Sequence, residues 1–127
     1  MTQALIIDDN VDNVGVLEEM LMMEGIEYTS LHDPAKLEAK IQNRPAFDIV
    51  FLDLEMPNID GYEMLGRLKA DARFQGVPIV AYTVHVSEIN EIRKRGFHSF
   101  LGKPLDADAF PKYLHRILNG ERVWANP

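Results

Sequence analysis

Five groups able to do acid, hydroxyl or amine chemistry each stand close behind a short apolar run. Asp8 and Asp9 follow residues 4–7 (ALII), and Asp53 follows 47–52 (FDIVFL). Thr83 follows 77–82 (VPIVAY), and Lys103 comes just after 97–101 (FHSFL). If these groups converge, three carboxylates crowd together and raise one another's pKa. A hard divalent cation relieves that repulsion, and Mg²⁺ takes carboxylate oxygens, backbone carbonyls and water. The amine places positive charge where a phosphoryl oxygen can sit, and the hydroxyl adds a neutral donor. A carboxylate in that setting can attack phosphorus and form an aspartyl-phosphate. Neutralising charge on the transferred group is most of what such a step asks of a protein. The acyl phosphate is labile, so the state is temporary, which suits signalling.

The elements that must position these groups alternate along the chain. Residues 47–52 are rich in β-branched and aromatic types and suit a strand buried on both faces, as at the middle of a parallel sheet. Asp53 ends that run, Met56-Pro57 breaks it, and Asn58-Ile59-Asp60-Gly61 turns into a helix. Residues 4–7 form the first strand; 26–31, which alternate, form a second strand at an edge; 77–82 and 97–101 form the fourth and fifth. Helices are expected to about Glu24, Asn43, Ala72, Arg95 and Asn119, with Asp9 or Asn10, Asp33, Ser87, and Asp106 or Asp108 as caps. In the first helix Val11, Val14, Leu17 and Leu21 form an apolar stripe, and Val16, Met20 and Met23 a second line. We expect core contact for that second line rather than a Met-rich docking surface. Pro111 costs a hydrogen bond if Asp106 caps the last helix and none if Asp108 does. Val123 and Trp124 in the tail are expected to pack back on the body.

Strands alternating with helices imply right-handed βαβ units and a parallel sheet covered on both faces. All strand carboxyl ends then share one edge, where open α/β sheets bind ligands. That edge collects Asp8, Asp9, Asp53, Thr83 and Lys103 from four segments.

Composition narrows the classes. The chain has 127 residues, enough for one compact domain, and 46% hydrophobic residues, as in a globular protein. There is no cysteine, hence no disulfide framework or cysteine catalysis. A net charge of −7 argues against a nucleic-acid surface. No apolar run approaches a membrane span, and the start MTQALIIDDN carries no export signal, so a cytoplasmic location is expected.

The chain resembles the receiver domain of two-component response regulators, over about residues 4–120. The matching pieces are Asp8-Asp9, the run DLEMPNIDG at 53–61, Thr83 and Lys103-Pro104. The resemblance implies a flavodoxin-like, doubly wound α/β fold: a five-stranded parallel sheet of order 2-1-3-4-5 flanked by five helices. It implies Asp53 as phosphoacceptor, Thr83 and Lys103 on the phosphoryl group, and a cis Lys103-Pro104 bond. Mg²⁺ would be held by Asp8 (through water), Asp9, Asp53 and the Glu55 backbone carbonyl. On phosphorylation Thr83 would move toward the phosphoryl group and Phe100 would turn inward. The partners implied are a histidine kinase or histidine phosphotransfer protein as donor. A downstream protein would bind the face of the fourth helix, fifth strand and fifth helix. No nucleic acid or membrane partner is expected, and the protein would be a monomer or weak homodimer.

At this length the expectation is a stand-alone receiver over 1–120 with a tail over 121–127 and no output domain, or else a phosphorelay intermediate. Some positions depart from the family pattern. Val84 is bulkier than the usual neighbour of Thr83, Phe97 and His98 stand where Ala is common first, and Phe100 lacks a Tyr hydroxyl. Glu55 and His85 flank the mouth as ordinary exposed side chains or as influences on water attack. A metal-dependent phosphatase would want a second acid two residues after its nucleophile, as Glu55 is, but would carry that nucleophile after the first strand. A module that has abandoned phosphorylation is disfavoured because every required group is present. A flavin site is disfavoured because DDNVDN would repel a phosphate.

Overall fold

In the computed structural model, which describes residues 2–56 and 59–125 (of Asn13, the backbone only), apolar runs form strands wherever both faces are covered. The elements are β1 (Gln3–Ile7), α1 (Val11–Met23), β2 (Glu27–Leu31), α2 (Leu37–Ile41), β3 (Ile49–Leu52), α3 (Gly61–Ala70), β4 (Ile79–Thr83), α4 (Ile89–Lys94), β5 (Ser99–Gly102), α5 (Phe110–Leu118) and β6 (Trp124–Ala125). The roles read for Pro57 and Asn58 lie outside the described residues.

The sheet is parallel, with order β2-β1-β3-β4-β5-β6. The expected order holds, and a sixth short strand extends it: Phe100 pairs Trp124 and Leu101 pairs Ala125. Successive side chains on a strand point to opposite faces. Leu5, Ile7, Val50, Leu52, Ala81 and Phe100 therefore meet Ile41, Met64, Leu65, Leu68 and Ile92 from α2, α3 and α4. Ala4, Ile6, Ile49, Phe51, Val80 and Leu101 meet Val14, Leu17, Leu21, Phe110, Leu114 and Ile117 from α1 and α5. All four β3 side chains are fully buried, at about 1.5–3 kcal/mol of hydrophobic stabilisation each. β2 pairs only with β1 and is the alternating edge strand expected.

Several boundaries differ from the sequence reading. Asp33 accepts from Ala35 N at 3.1 Å, but the segment opens as a 3-10 turn at Pro34–Lys36 and α2 stops at Ile41. Ser87 caps nothing: it lies inside a 3-10 turn, Val86–Glu88, ahead of α4. Asp106 Oδ1 accepts from Asp108 N at 2.9 Å. It thereby closes a turn before α5, which begins only at Phe110, so Pro111 falls in the first turn, where its missing N–H costs nothing. The core stripe of α1 is narrower than expected. Val14, Leu17 and Leu21 are buried, whereas Val11, Val16 and Met23 are exposed at 64%, 53% and 79%. The stripe that faces the sheet fills most of the available contact, so of the second line Met20 packs half-buried against the core as expected, while Val16 and Met23 point to solvent. Gly25 and Gly96 end their helices at φ values of +73° and +101°, where glycine is unstrained. The tail packs back as expected: Val123 is buried and donates its N–H to Ser99 Oγ at 3.0 Å.

Candidate functional site

β1, β3, β4 and β5 run parallel, so their carboxyl ends deliver the chemical groups to one edge. Asp8 and Asp53 are buried, Asp9 is half-buried, and the three carboxylates can each offer an oxygen within 4.8 Å of the others. Asp8 is held in place through its backbone and side chain. Its N–H donates to Leu31 O at 3.1 Å, and its Oδ1 accepts from Asn10 N at 2.9 Å. Asp53 Oδ1 accepts from Glu55 N at 3.2 Å. Gly61 lets α3 start directly over this turn. A Cβ there would lie 2.7 Å from Leu54 Cα.

Lys103 reaches back across the edge. Its Nζ lies 3.4 Å from Asp8 Oδ2 and 3.7 Å from Asp53 Oδ1. Its N–H donates to Thr83 O at 2.9 Å, and the Lys103-Pro104 bond is cis. Thr83 is buried, with Oγ1 accepting from His85 N at 3.2 Å. Phe100 lies on β5 with its ring fully buried. The structure thus brings Asp8, Asp9, Asp53, Thr83 and Lys103 to one edge, as their positions predicted. Phe100 sits deeper, in the core beneath it.

The electrostatics follow from one ammonium among three acids. Burial pushes the Asp53 carboxyl up to about 6; Lys103 pulls it down and Asp8 pushes it up again. Burial, then the charges of Asp8 and Asp53, also raises the Tyr82 phenol. The cluster therefore lacks positive charge. Its donor set, carboxylate oxygens around a half-open cleft, fits a hard divalent cation.

Sequence reasoning missed two contacts. Tyr82 lies beneath Lys103, with Nζ 4.0 Å from the ring centroid. Its place at the end of β4, next to Thr83, was the available signal. At the mouth, His85 Nε2 and Glu55 Oε1 are in direct contact, so two side chains read as separate are one pair.

Residues 4–115 match the family described as the response regulator receiver domain. The chain belongs to that family. The receiver is 26% identical to Protein PilH of Pseudomonas aeruginosa over 123 residues, 94% of this chain and 100% of PilH. It is 32% identical to Stress response regulator protein 1 of Candida tropicalis over 106 residues, 80% of this chain and 40% of that protein. It spans much less than half of other curated relatives, 6% in one case and 28% in another. Among solved structures, the receiver domain of sensor histidine kinase PA1611 from Pseudomonas aeruginosa superposes with a TM-score of 0.80. The two are 25% identical, covering 93% of this receiver and 98% of that chain, and the PA1611 domain carries a magnesium ion in its active-site cleft.

Proposed function

We propose that this receiver takes a phosphoryl group onto Asp53 from a phosphohistidine of a histidine kinase or phosphotransfer protein. It then signals by protein contact or passes the group to a further histidine. The observation that carries this reading is the buried Asp53 carboxylate beside the Lys103 ammonium, with Asp8 and Asp9 completing an acidic cleft. An Asp53 oxygen forms a bond to phosphorus while the phosphorus–nitrogen bond of the donor breaks, and the imidazole nitrogen keeps that electron pair. Lys103 holds positive charge against the transferred oxygens, and the Thr83 hydroxyl donates a hydrogen bond to one of them. Mg²⁺ would be held by Asp9, Asp53 and the Glu55 backbone carbonyl, with Asp8 acting through water; when bound it supplies further charge neutralisation. The new charge of nearly two units favours one arrangement of Thr83 and Phe100 over another, which is how the receiver would report its state through the face of α4, β5 and α5.

In this reading residues 1–120 act as the receiver, with 121–127 following as a tail. The protein works as a monomer or weak homodimer in the cytoplasm, where kinases meet ATP, without nucleic acid or membrane as partner. No helix among the described residues is long and apolar enough to cross a membrane. The test is intact-mass analysis after incubation with acetyl phosphate, with and without Mg²⁺, on wild type and Asp53→Asn. A Mg²⁺-dependent gain of one phosphoryl group in wild type alone is expected. Labelling that persists in Asp53→Asn overturns the assignment of the acceptor.

A further inference from the structure

The outer margin of β5 is covered by the chain's own tail. β6 runs parallel to β5, with Phe100 against Trp124 and Leu101 against Ala125. Trp124 packs on the side of the sheet that holds Ile92 of α4, and Ala125 on the side that holds Phe110 and Leu114 of α5. Arg93 of α4 lies over the Trp124 ring, its Cζ 4.7 Å from the centroid. Ahead of β6, Glu121 Oε2 is 3.4 Å from Arg116 Nε on α5. Arg122 donates to His98 O, also at 3.4 Å. The tail is therefore tied in turn to α5, β5 and α4, and it fills the gap between the two helices.

These ties are unequal. Val123 is buried; its N–H reaches Ser99 Oγ at 3.0 Å and its carbonyl accepts from Phe100 N at 2.8 Å. Beyond it Trp124 and Ala125 are only half-buried, and the cation over Trp124 belongs to an exposed side chain. β4 pairs with β5 at four positions and β6 at two. A short marginal segment with partly exposed contacts opens at far lower free energy than the domain unfolds.

β5 also leads directly to the phosphoacceptor. Gly102 pairs with Thr83, and the next residue is Lys103. The Lys103 N–H donates to Thr83 O at 2.9 Å, and its Nζ lies 3.7 Å from Asp53 Oδ1. A phosphoryl group on Asp53 sets new anionic oxygens between that carboxylate and the Lys103 and Thr83 side chains. Lys103 and Thr83 must adjust to meet them, and both are held through the paired ends of β4 and β5. A shift of β5 strains the pairings on both its margins, and the two-position pairing yields before the four-position one.

We propose that residues 121–125 are a strap that shuts the β5 margin in the unphosphorylated receiver and lets go when Asp53 is phosphorylated. The strap is an autoinhibitory contact, since a downstream protein using the face of α4, β5 and α5 must wait for it to leave. The proposal rests on the reading of Asp53 as phosphoacceptor.

The chain has one tryptophan, so its fluorescence reads the strap alone. The experiment is acrylamide quenching of the full chain in Mg²⁺, before and after acetyl phosphate, with intact mass taken on the same samples. Labelling should raise the quenching constant about twofold or more and shift emission to the red, and Asp53→Asn should show neither change. Hydrogen exchange should quicken at the Phe100 and Val123 amides, which the strap engages, and not at the Asp53 amide, which donates to Ile7 O. Arg93→Ala, which removes the cation from the ring, should raise quenching before acetyl phosphate is added and still be labelled. Labelling that leaves Trp124 as shielded as before overturns the release while the acceptor reading stands. Absence of labelling overturns that reading and the release with it. Trp124 as accessible before acetyl phosphate as a tryptophan in a free peptide overturns the closed state.

Discussion

The Lys103 ammonium rests 4.0 Å from the centre of the Tyr82 ring. Lys103 is therefore fixed from two directions, by the carboxylates of Asp8 and Asp53 and by an aromatic face below. A cation over a partly desolvated ring is worth about 1 kcal/mol. Tyr82→Leu should slow labelling by acetyl phosphate about fivefold at unchanged fold, while Tyr82→Phe, which keeps the ring, should stay closer to wild type. Rapid-quench labelling with mass readout measures both.

The Asp53 carboxyl stands at about 6 instead of 3.8, chiefly through burial. The fold favours its protonated form, so this contribution to stability is complete below the ordinary value and is lost as pH rises through about 6. The loss is on the order of 2–3 kcal/mol. In EDTA, Asp53→Asn should be more stable than wild type at pH above that range and gain little at pH below it. Urea denaturation across the range checks the sign, and added Mg²⁺ should narrow the difference for wild type only.

Gly61 has no room for a side chain, since a Cβ would sit 2.7 Å from Leu54 Cα and 3.3 Å from Asp53 O. Both neighbours are backbone atoms of the turn that carries Asp53. Gly61→Ala should cost about 1–3 kcal/mol in denaturation and should also slow labelling, whereas Gly66→Ala, with open space around it, should do neither.

Glu55 and His85 join the connections after β3 and β4 across the mouth of the cleft. Both side chains are about half exposed, so breaking the contact should cost little stability. His85→Ala should instead admit water more freely and shorten the lifetime of the phosphorylated form severalfold. The decay of the labelled species after removal of acetyl phosphate gives that rate.

His98 is held below 6.5 by burial and then by Arg122. The fold favours the neutral ring, so stability is complete above that ordinary value and falls as pH drops below it. NMR titration should find its midpoint below that of free histidine, and Arg122→Ala should raise it.

The convergence of Asp8, Asp53, Thr83 and Lys103 was legible because parallel strands put every carboxyl end on one edge. Four short apolar runs ending in those residues were signal enough. The sheet order came from family resemblance, since periodicity ranks no strand beside another. The outward face of α1 was misread at Val16 and Met23, which carry with Met20 the same helical spacing as the buried stripe, although only Met20 packs on the core. Spacing alone cannot say how much sheet is available to cover a helix. The 3-10 openings before α2 and α4 were illegible for a related reason: Asp33-Pro34 can start either kind of turn, and Ser87, a good cap by type, lies inside its turn and caps nothing. β6 left no trace, because Trp124-Ala125 is too short to show a period. Its pairing rests on Val123 O accepting from Phe100 N at 2.8 Å. The stacking of Lys103 on Tyr82 escaped because it joins two strands through the sheet's third dimension.

β6 has a further consequence for how copies of this protein could stack. A sheet with two long open margins can add neighbours at both and grow into a filament. Here, among the described residues, one margin ends in a strand of two residues, which offers little template for a newcomer. Among the described residues, the margin at β2 is the longer one and the better able to recruit another chain. Two molecules meeting there would use up each other's adhesive side. Strand-to-strand assembly would then terminate at a pair instead of propagating into a fibre.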